Sequence, residues 1–269
     1  MRPRIVSLIA AIISFFCAVI LMDCRNSDNG KKSTRPVLTI AAASNVQYAM
    51  EALVRDFETS SGIEVDLIIS SSGKLAAQIG QGAPYHVFVS ADEKYPAELL
   101  RKGLADGSPE IYAYGALVLW TVRKEVDVSS GLEVLNDSDI GKIALANPDL
   151  APYGEQSMRV LEHLGLVERL RPKLVFGENI AQTSQYILSG VCDLGFTAKS
   201  IVLAPELKGK GVWADVPRET YRPIAQAAVI TREGIRLLPE ESRTFFSYLL
   251  SEPAQAVLSR FGYTFIKAE

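Results

Sequence analysis

Residues 68–77 read IISSSGKLAA. Three hydroxyls and a Gly-Lys pair stand where an apolar run gives way to a helical pattern. A junction of this kind suits an anion, because a helix start offers unpaired N–H groups and the positive end of a dipole. Similar junctions occur at Ala43-Ser44-Asn45, at Ala151-Pro152-Tyr153-Gly154 and at Glu178-Asn179-Ile180. Ser44 and Ser72 add hydroxyl donors. Taken singly, each junction reads as an ordinary cap, since Ser and Asn are the preferred cap residues. Four that converge would wrap a small anion with neutral donors alone. Within the serine run, Ser72 is the expected donor. Ser70 and Ser71 are expected to finish the strand, Gly73 to make the turn and Lys74 to face solvent.

Other chemistries fail on spacing. A phosphate loop needs G-x-x-x-x-G-K-[ST]; here Leu75 follows Gly73-Lys74, and Ile68 occupies the earlier glycine position. No serine sits in the G-x-S-x-G frame of a hydrolase elbow. Of the two histidines, His86 opens an apolar run and His163 lies near the end of a helical pattern. Neither has metal-site spacing or an evident nucleophile to serve, which leaves surface or capping roles. Tyr153 precedes a helix-opening glycine, where an aromatic ring either packs the turn or enters a site.

These junctions need elements to hold them. From Val37 onward, short apolar runs alternate with helical periods. VLTIAAA reads as a strand, and Val46, Ala49, Met50, Leu53, Val54 and Phe57 form one helical stripe closed by Gly62. VDLIIS and HVFVSA read as further strands, and Asp92 as the cap of a helix through Leu100. A second series follows: KIALA, a helix over 154–164, KLVF, a helix from Asn179 to Leu188, DLGFTA, VWADV and IAQAAVIT. Helices over 240–250 and 253–261 finish the chain. Strand–helix alternation of this kind implies mostly parallel sheets flanked by helices. The run IYAYGALVLWTVR is too long for one ordinary strand. Together with a second run near 222–230, it suggests two crossings between two lobes, and ligands in such folds bind where helices begin beyond the strand ends.

The 269 residues carry a formal net charge of -3 with scattered Lys and Arg, which argues against nucleic acid. At the N-terminus, Arg2 and Arg4 precede an apolar stretch from Ile5 to Met22 that ends at Asp23-Cys24. Residues 1–24 therefore read as a signal, a lipoprotein signal acylated at Cys24, or an anchor. Residues 25–36 read as a polar tether. All three readings place the globular part outside the cytoplasm, and acylation at Cys24 or an anchor would tether it to the membrane at this end. Beyond residue 24 the only cysteine is Cys192, so no disulfide forms within the globular part. GVCDLGF makes Cys192 a small buried apolar residue.

The segments LTIAAASN, SSSGKLAAQIGQGAPYHVFVSAD, ANPDLAPYGEQS and GENIAQT resemble the periplasmic molybdate-binding proteins of ABC importers. The likeness runs from about Val37 to the terminal RFGYTFI. It implies a two-lobed type II periplasmic-binding fold closing by a hinge, with lobe 1 at 37–115 and 224–269 and lobe 2 at 116–223. It also implies that a tetrahedral oxyanion, molybdate or tungstate, is held without a cationic side chain. Carried over by motif, the holding groups are the Ser44 and Ser72 hydroxyls, N–H groups near Asn45, Tyr153, and the Ile180 N–H. Some relatives carry a tyrosine after the GF strand where this chain has Ala198, a role the Tyr153 hydroxyl would take over. No cofactor beyond the ligand, no metal bound as a cation, an ABC permease as partner and a monomeric, non-enzymatic protein follow from the same likeness. Neutral donors around a desolvated dianion suit the task, since a protonated anion would bring a proton to a site with no acceptor. Sulfate would be rejected by cavity size, whereas molybdate and tungstate are nearly alike. A binder of sulfate or thiosulfate, an enzyme using the same cleft and a sensory binding module are the alternatives.

Overall fold

The computed structural model describes residues 36–265; the readings of residues 1–24, the tether up to Arg35 and Cys24 lie outside them. Two five-stranded sheets organise the chain. The first has the order β2-β1-β3-β10-β4, from β1 (Leu38–Ala43), β2 (Val65–Ser70), β3 (Val87–Val89), β4 (Ala105–Gly115) and β10 (Ile224–Thr231). The second has the order β7-β6-β8-β5-β9, from β5 (Leu117–Thr121), β6 (Ile143–Ala146), β7 (Leu174–Gly177), β8 (Leu194–Ala198) and β9 (Val212–Asp215). We refer to the sheets with their helices as lobe 1 and lobe 2.

Both sheets are mixed. β1 runs parallel to β2 and β3, while β10 is antiparallel to β3 and β4. In lobe 2, β6 is parallel to β7 and β8, while β5 is antiparallel to β8 and β9. Simple strand–helix alternation suggests more parallel pairing than this. The antiparallel pairs involve β5, which enters lobe 2 from β4, and β10, which follows lobe 2 and returns to lobe 1. The long apolar run breaks at Ala116, so its two halves belong to different sheets.

Helix α1 (Gln47–Ser61) buries Ala49, Met50, Leu53, Val54 and Phe57, the stripe that its 3–4 spacing requires. Gly62 ends it at φ 70°, a left-handed conformation that costs glycine little. α2 (Ser72–Gly80) and α3 (Lys94–Arg101) complete the first series. Lobe 2 carries α4 (Pro152–His163), the short α5 (Val167–Leu170), α6 (Ile180–Leu188) and the short α7 (Lys199–Val202). After β10 come α8 (Arg232–Leu237), α9 (Pro239–Leu249) and α10 (Glu252–Arg260). α8 has no counterpart in the periodicity, because its six residues are too few to show one. The Phe57 and Phe245 rings meet edge to face at 5.1 Å, anchoring α9 against α1.

His86 is not a surface or cap residue. It is 6% exposed, and its Nδ1 accepts a hydrogen bond from the Thr39 N–H at 2.8 Å. Burial lowers its pKa, consistent with a neutral acceptor in the sheet. Cys192 is fully buried, and burial pushes its thiol pKa up.

Candidate functional site

The four junctions meet. A small cavity is walled by Ser44 and Asn45, Ser71 and Ser72, Ala151 to Tyr153, and Ile180. No charged side chain lines it. Among the described residues, no cluster of His, Cys, Asp or Glu is placed to hold a metal ion, and no helix is long and apolar enough to cross a membrane.

In lobe 1, β1 runs out at Ala43 into a 3-10 turn, Ser44–Val46, that leads into α1. Ser44 and Asn45 are 3% and 2% exposed. Asn45 commits its amide nitrogen and its carbonyl oxygen to the protein. Its Nδ2 donates to Gln226 Oε1 at 2.8 Å and to Tyr263 Oη at 3.2 Å. Its carbonyl accepts from Ser200 Oγ at 2.6 Å and Tyr263 Oη at 3.1 Å. The Asn45 N–H stands at the cavity wall, at a helix start where no intrahelical partner exists.

The serine run behaves differently from its reading in sequence. Ser71 does not finish the strand: β2 ends at Ser70, and Ser71 is the N-cap residue of α2 with extended backbone. Its side chain makes no capping bond, and its Oγ is buried without any partner. Ser72 opens the helix. Its Oγ accepts from the Ala91 N–H at 3.0 Å, which leaves the hydroxyl proton to donate. Nor is Gly73 simply a turn residue. Its N–H donates to the Leu150 carbonyl of lobe 2 at 2.9 Å, and a Cβ there would stand 2.7 Å from Tyr95 Oη and 3.0 Å from Leu150 O. Lys74 does not only face solvent, since its Nζ pairs with Glu178 of lobe 2 at 2.5 Å.

In lobe 2, Pro152 occupies the first position of α4 and has no N–H to offer. The first free N–H of that helix is therefore Tyr153's. Gly154 lets the helix start press against β6, because a Cβ there would lie 2.2 Å from the Ala146 carbonyl. The Tyr153 ring is 1% exposed, and its Oη accepts from Gln226 Nε2 at 3.1 Å. Burial raises the pKa of this phenol well above the ordinary value, so it stays protonated. At the fourth junction Asn179 caps α6 through Oδ1, accepting from the Gln182 N–H at 3.0 Å. The Ile180 N–H is left at the cavity wall. Ala198 is fully buried at the end of β8, and the nearby contact with lobe 1 comes from Ser200.

The structure thus brings together the residues expected from sequence to hold the anion: Ser44, Asn45, Ser72, Tyr153 and Ile180. Sequence reasoning missed Ser71 and the buried group of Gln226, Tyr112, Tyr263 and Ser200 behind Asn45. Gln226 had a signal, as the one strongly polar residue in IAQAAVIT.

Comparison with known proteins places this geometry. Residues 38–264 match the family model for bacterial extracellular solute-binding proteins. The chain is 35% identical over 226 residues to the molybdate-binding protein ModA of Azotobacter vinelandii, covering 83% of this chain and 88% of that protein. It is 34% identical to ModA of Rhodobacter capsulatus, covering 83% and 86%. The solved structure of an Azotobacter vinelandii periplasmic molybdate-binding protein superposes with a TM-score of 0.81, covering 86% of this chain and all of that one.

Proposed function

The chain belongs to the bacterial extracellular solute-binding proteins, and we propose that it captures molybdate in the cavity between its lobes and delivers it to an ABC permease. The observation that carries this reading is the Ser71 hydroxyl, buried and unpaired in an uncharged cavity built from four helix starts. Leaving a buried hydroxyl unpaired costs about 1–3 kcal/mol, a cost that a bound acceptor removes. An oxyanion is all acceptor. The donors facing it would be the hydroxyls of Ser44, Ser71 and Ser72 and the N–H groups of Asn45, Tyr153 and Ile180. The dipoles of the helices they begin add to the attraction.

Neutral donors fixed by the fold need little reorganisation when the ligand arrives. They also favour the fully deprotonated anion, whose oxygens can all accept, and no carboxylate or imidazole lines the wall to take a proton from the ligand. We extend the reading to tungstate, whose charge and shape are the same. Binding and release, not turnover, is the activity, a reading supported by the relatives named as molybdate-binding proteins. The protein acts outside the cytoplasm, as a monomer that docks on its permease.

Titration calorimetry with molybdate, tungstate, sulfate and phosphate tests this. Molybdate and tungstate should bind, and sulfate should compete weakly. Ser71→Ala should weaken molybdate by about 1–3 kcal/mol without lowering the melting temperature of the ligand-free protein, since it removes an orphaned group. A folded protein that gives no heat with molybdate would overturn the assignment, and tight sulfate binding would redirect it.

A further inference from the structure

Gln226 is fully buried on β10, the strand that returns from lobe 2 to lobe 1. Its Oε1 accepts from Asn45 Nδ2 and from Tyr112 Oη, both at 2.8 Å. Those two donors fix which way the amide faces, so Nε2 is turned to Tyr153 Oη at 3.1 Å. Asn45 and Tyr153 begin helices on opposite lobes, and both wall the cavity.

The backbone around this side chain is specialised. The pairing of β10 with β4 shifts register between Gln226 and Ala227: Gln226 faces Ala113 and Ala227 faces Ile111, which leaves Tyr112 as the extra residue. Such bulges re-aim side chains and are common beside functional sites. Here the bulge sets Tyr112 and Gln226 in contact. Gly115, at the end of β4, leaves the space in which the amide meets the phenol. A Cβ there would lie 1.9 Å from Tyr153 Oη and 2.4 Å from Gln226 Nε2.

We infer that Gln226 is a positioning residue of the oxyanion site: its amide ties Asn45 of lobe 1 to Tyr153 of lobe 2 and sets the spacing at which their N–H groups face one ligand. This rests on reading the cavity as an oxyanion site. Gln226 acts through its two neighbours. Asn45 and Tyr153 each spend side-chain polarity on it and keep their backbone N–H groups for the anion.

The test is a double-mutant cycle in molybdate titrations of wild type, Gln226→Met, Tyr153→Phe and the double variant, with the melting temperature of each ligand-free protein. Gln226→Met keeps the volume and removes the amide; Tyr153→Phe removes one hydroxyl. Each single change should weaken binding about tenfold or more. The double should bind within about twofold of the weaker single, because both remove the same link. Losses that multiply, or a Gln226→Met protein that melts earlier yet binds as wild type does, would overturn the inference. If Gln226→Met does not fold, Tyr153→Phe decides alone, and wild-type affinity in it is the overturning result. A wild-type protein that ignores molybdate is a different outcome: the oxyanion reading fails first, and the inference falls with it.

Discussion

The lobes are joined across the cavity by two sets of contacts built from opposite materials. Beside the crossing strands, the junction is buried and neutral: Asn45, Tyr112, Tyr153, Ser200, Gln226 and Tyr263 share hydrogen bonds, and none is more than 4% exposed. Beside α2, the junction is partly exposed and includes charge. Lys74 pairs with Glu178, Tyr95 Oη donates to the Asp149 carbonyl at 3.1 Å, and Gly73 N–H donates to Leu150 O. In the first set, every polar atom must be satisfied by the fold, so geometry is over-determined and small errors are costly. In the second, water can replace what is lost. Precision should reside near the crossing strands, and ease of parting beside α2.

The difference is tested most severely at Gly115. Gly115→Ala puts a methyl group into the Gln226–Tyr153 contact, where both partners are fully buried and have nowhere to move. Overpacking of this kind costs about 1–3 kcal/mol. It should appear both as weaker molybdate binding in calorimetry and as a lower melting temperature of the ligand-free protein. Unchanged affinity would mean that this junction is looser than its burial implies.

Gly73→Ala makes the matching intrusion beside α2. The methyl would press on Tyr95 Oη and on the Leu150 backbone, across the lobe boundary. Lobe 2 can yield by a few tenths of an ångström, so we expect about 1 kcal/mol, the low end for overpacking. Gly73 lies in the first turn of α2, where alanine favours the helix. The ligand-free protein should therefore melt no earlier than wild type while the complex weakens. A parallel fall in both would erase the distinction between the two junctions.

The legibility of these parts in the sequence follows the same division. Helix starts announce themselves locally. Ser44, Asn45, Ser72, Tyr153 and Ile180 all stand at boundaries where an apolar run changes period, and that period is a property of a few neighbouring residues. The strand order with β10 between β3 and β4 was not legible, because pairing partners lie over 100 residues apart in the chain. Nor was the Asn45–Gln226–Tyr112 group, whose members meet only after the lobes form. Ser71 was misread for a subtler reason: alternation does not say which of three successive serines ends a strand, and only the helical turn that begins at Ser72 decides it. Gly73 and Lys74 looked local because their partners, Leu150 and Glu178, belong to the other lobe.

The smallest effect is expected at the Lys74–Glu178 pair, and its sign carries the information. Both side chains are more than 40% exposed, at 46% and 43%, so the pair is screened by solvent and salt. Lys74→Met should weaken molybdate binding by under about 1 kcal/mol, the range of exposed ion pairs. Two causes would produce that loss. The pair could hold the lobes together, or the lysine could simply attract a dianion at a distance. Glu178→Gln separates them. If the pair acts as a contact, removing either partner weakens binding, and both losses vanish at high salt. If only the field matters, removing the carboxylate strengthens binding while removing the lysine weakens it. We expect the first pattern, because the cavity's own donors are neutral and the 2.5 Å contact spans the boundary beside it. Opposite signs in the two titrations would reduce the contact to a long-range charge effect and leave the Gly73–Leu150 bond and the Tyr95 hydroxyl as the contacts that join the lobes beside α2.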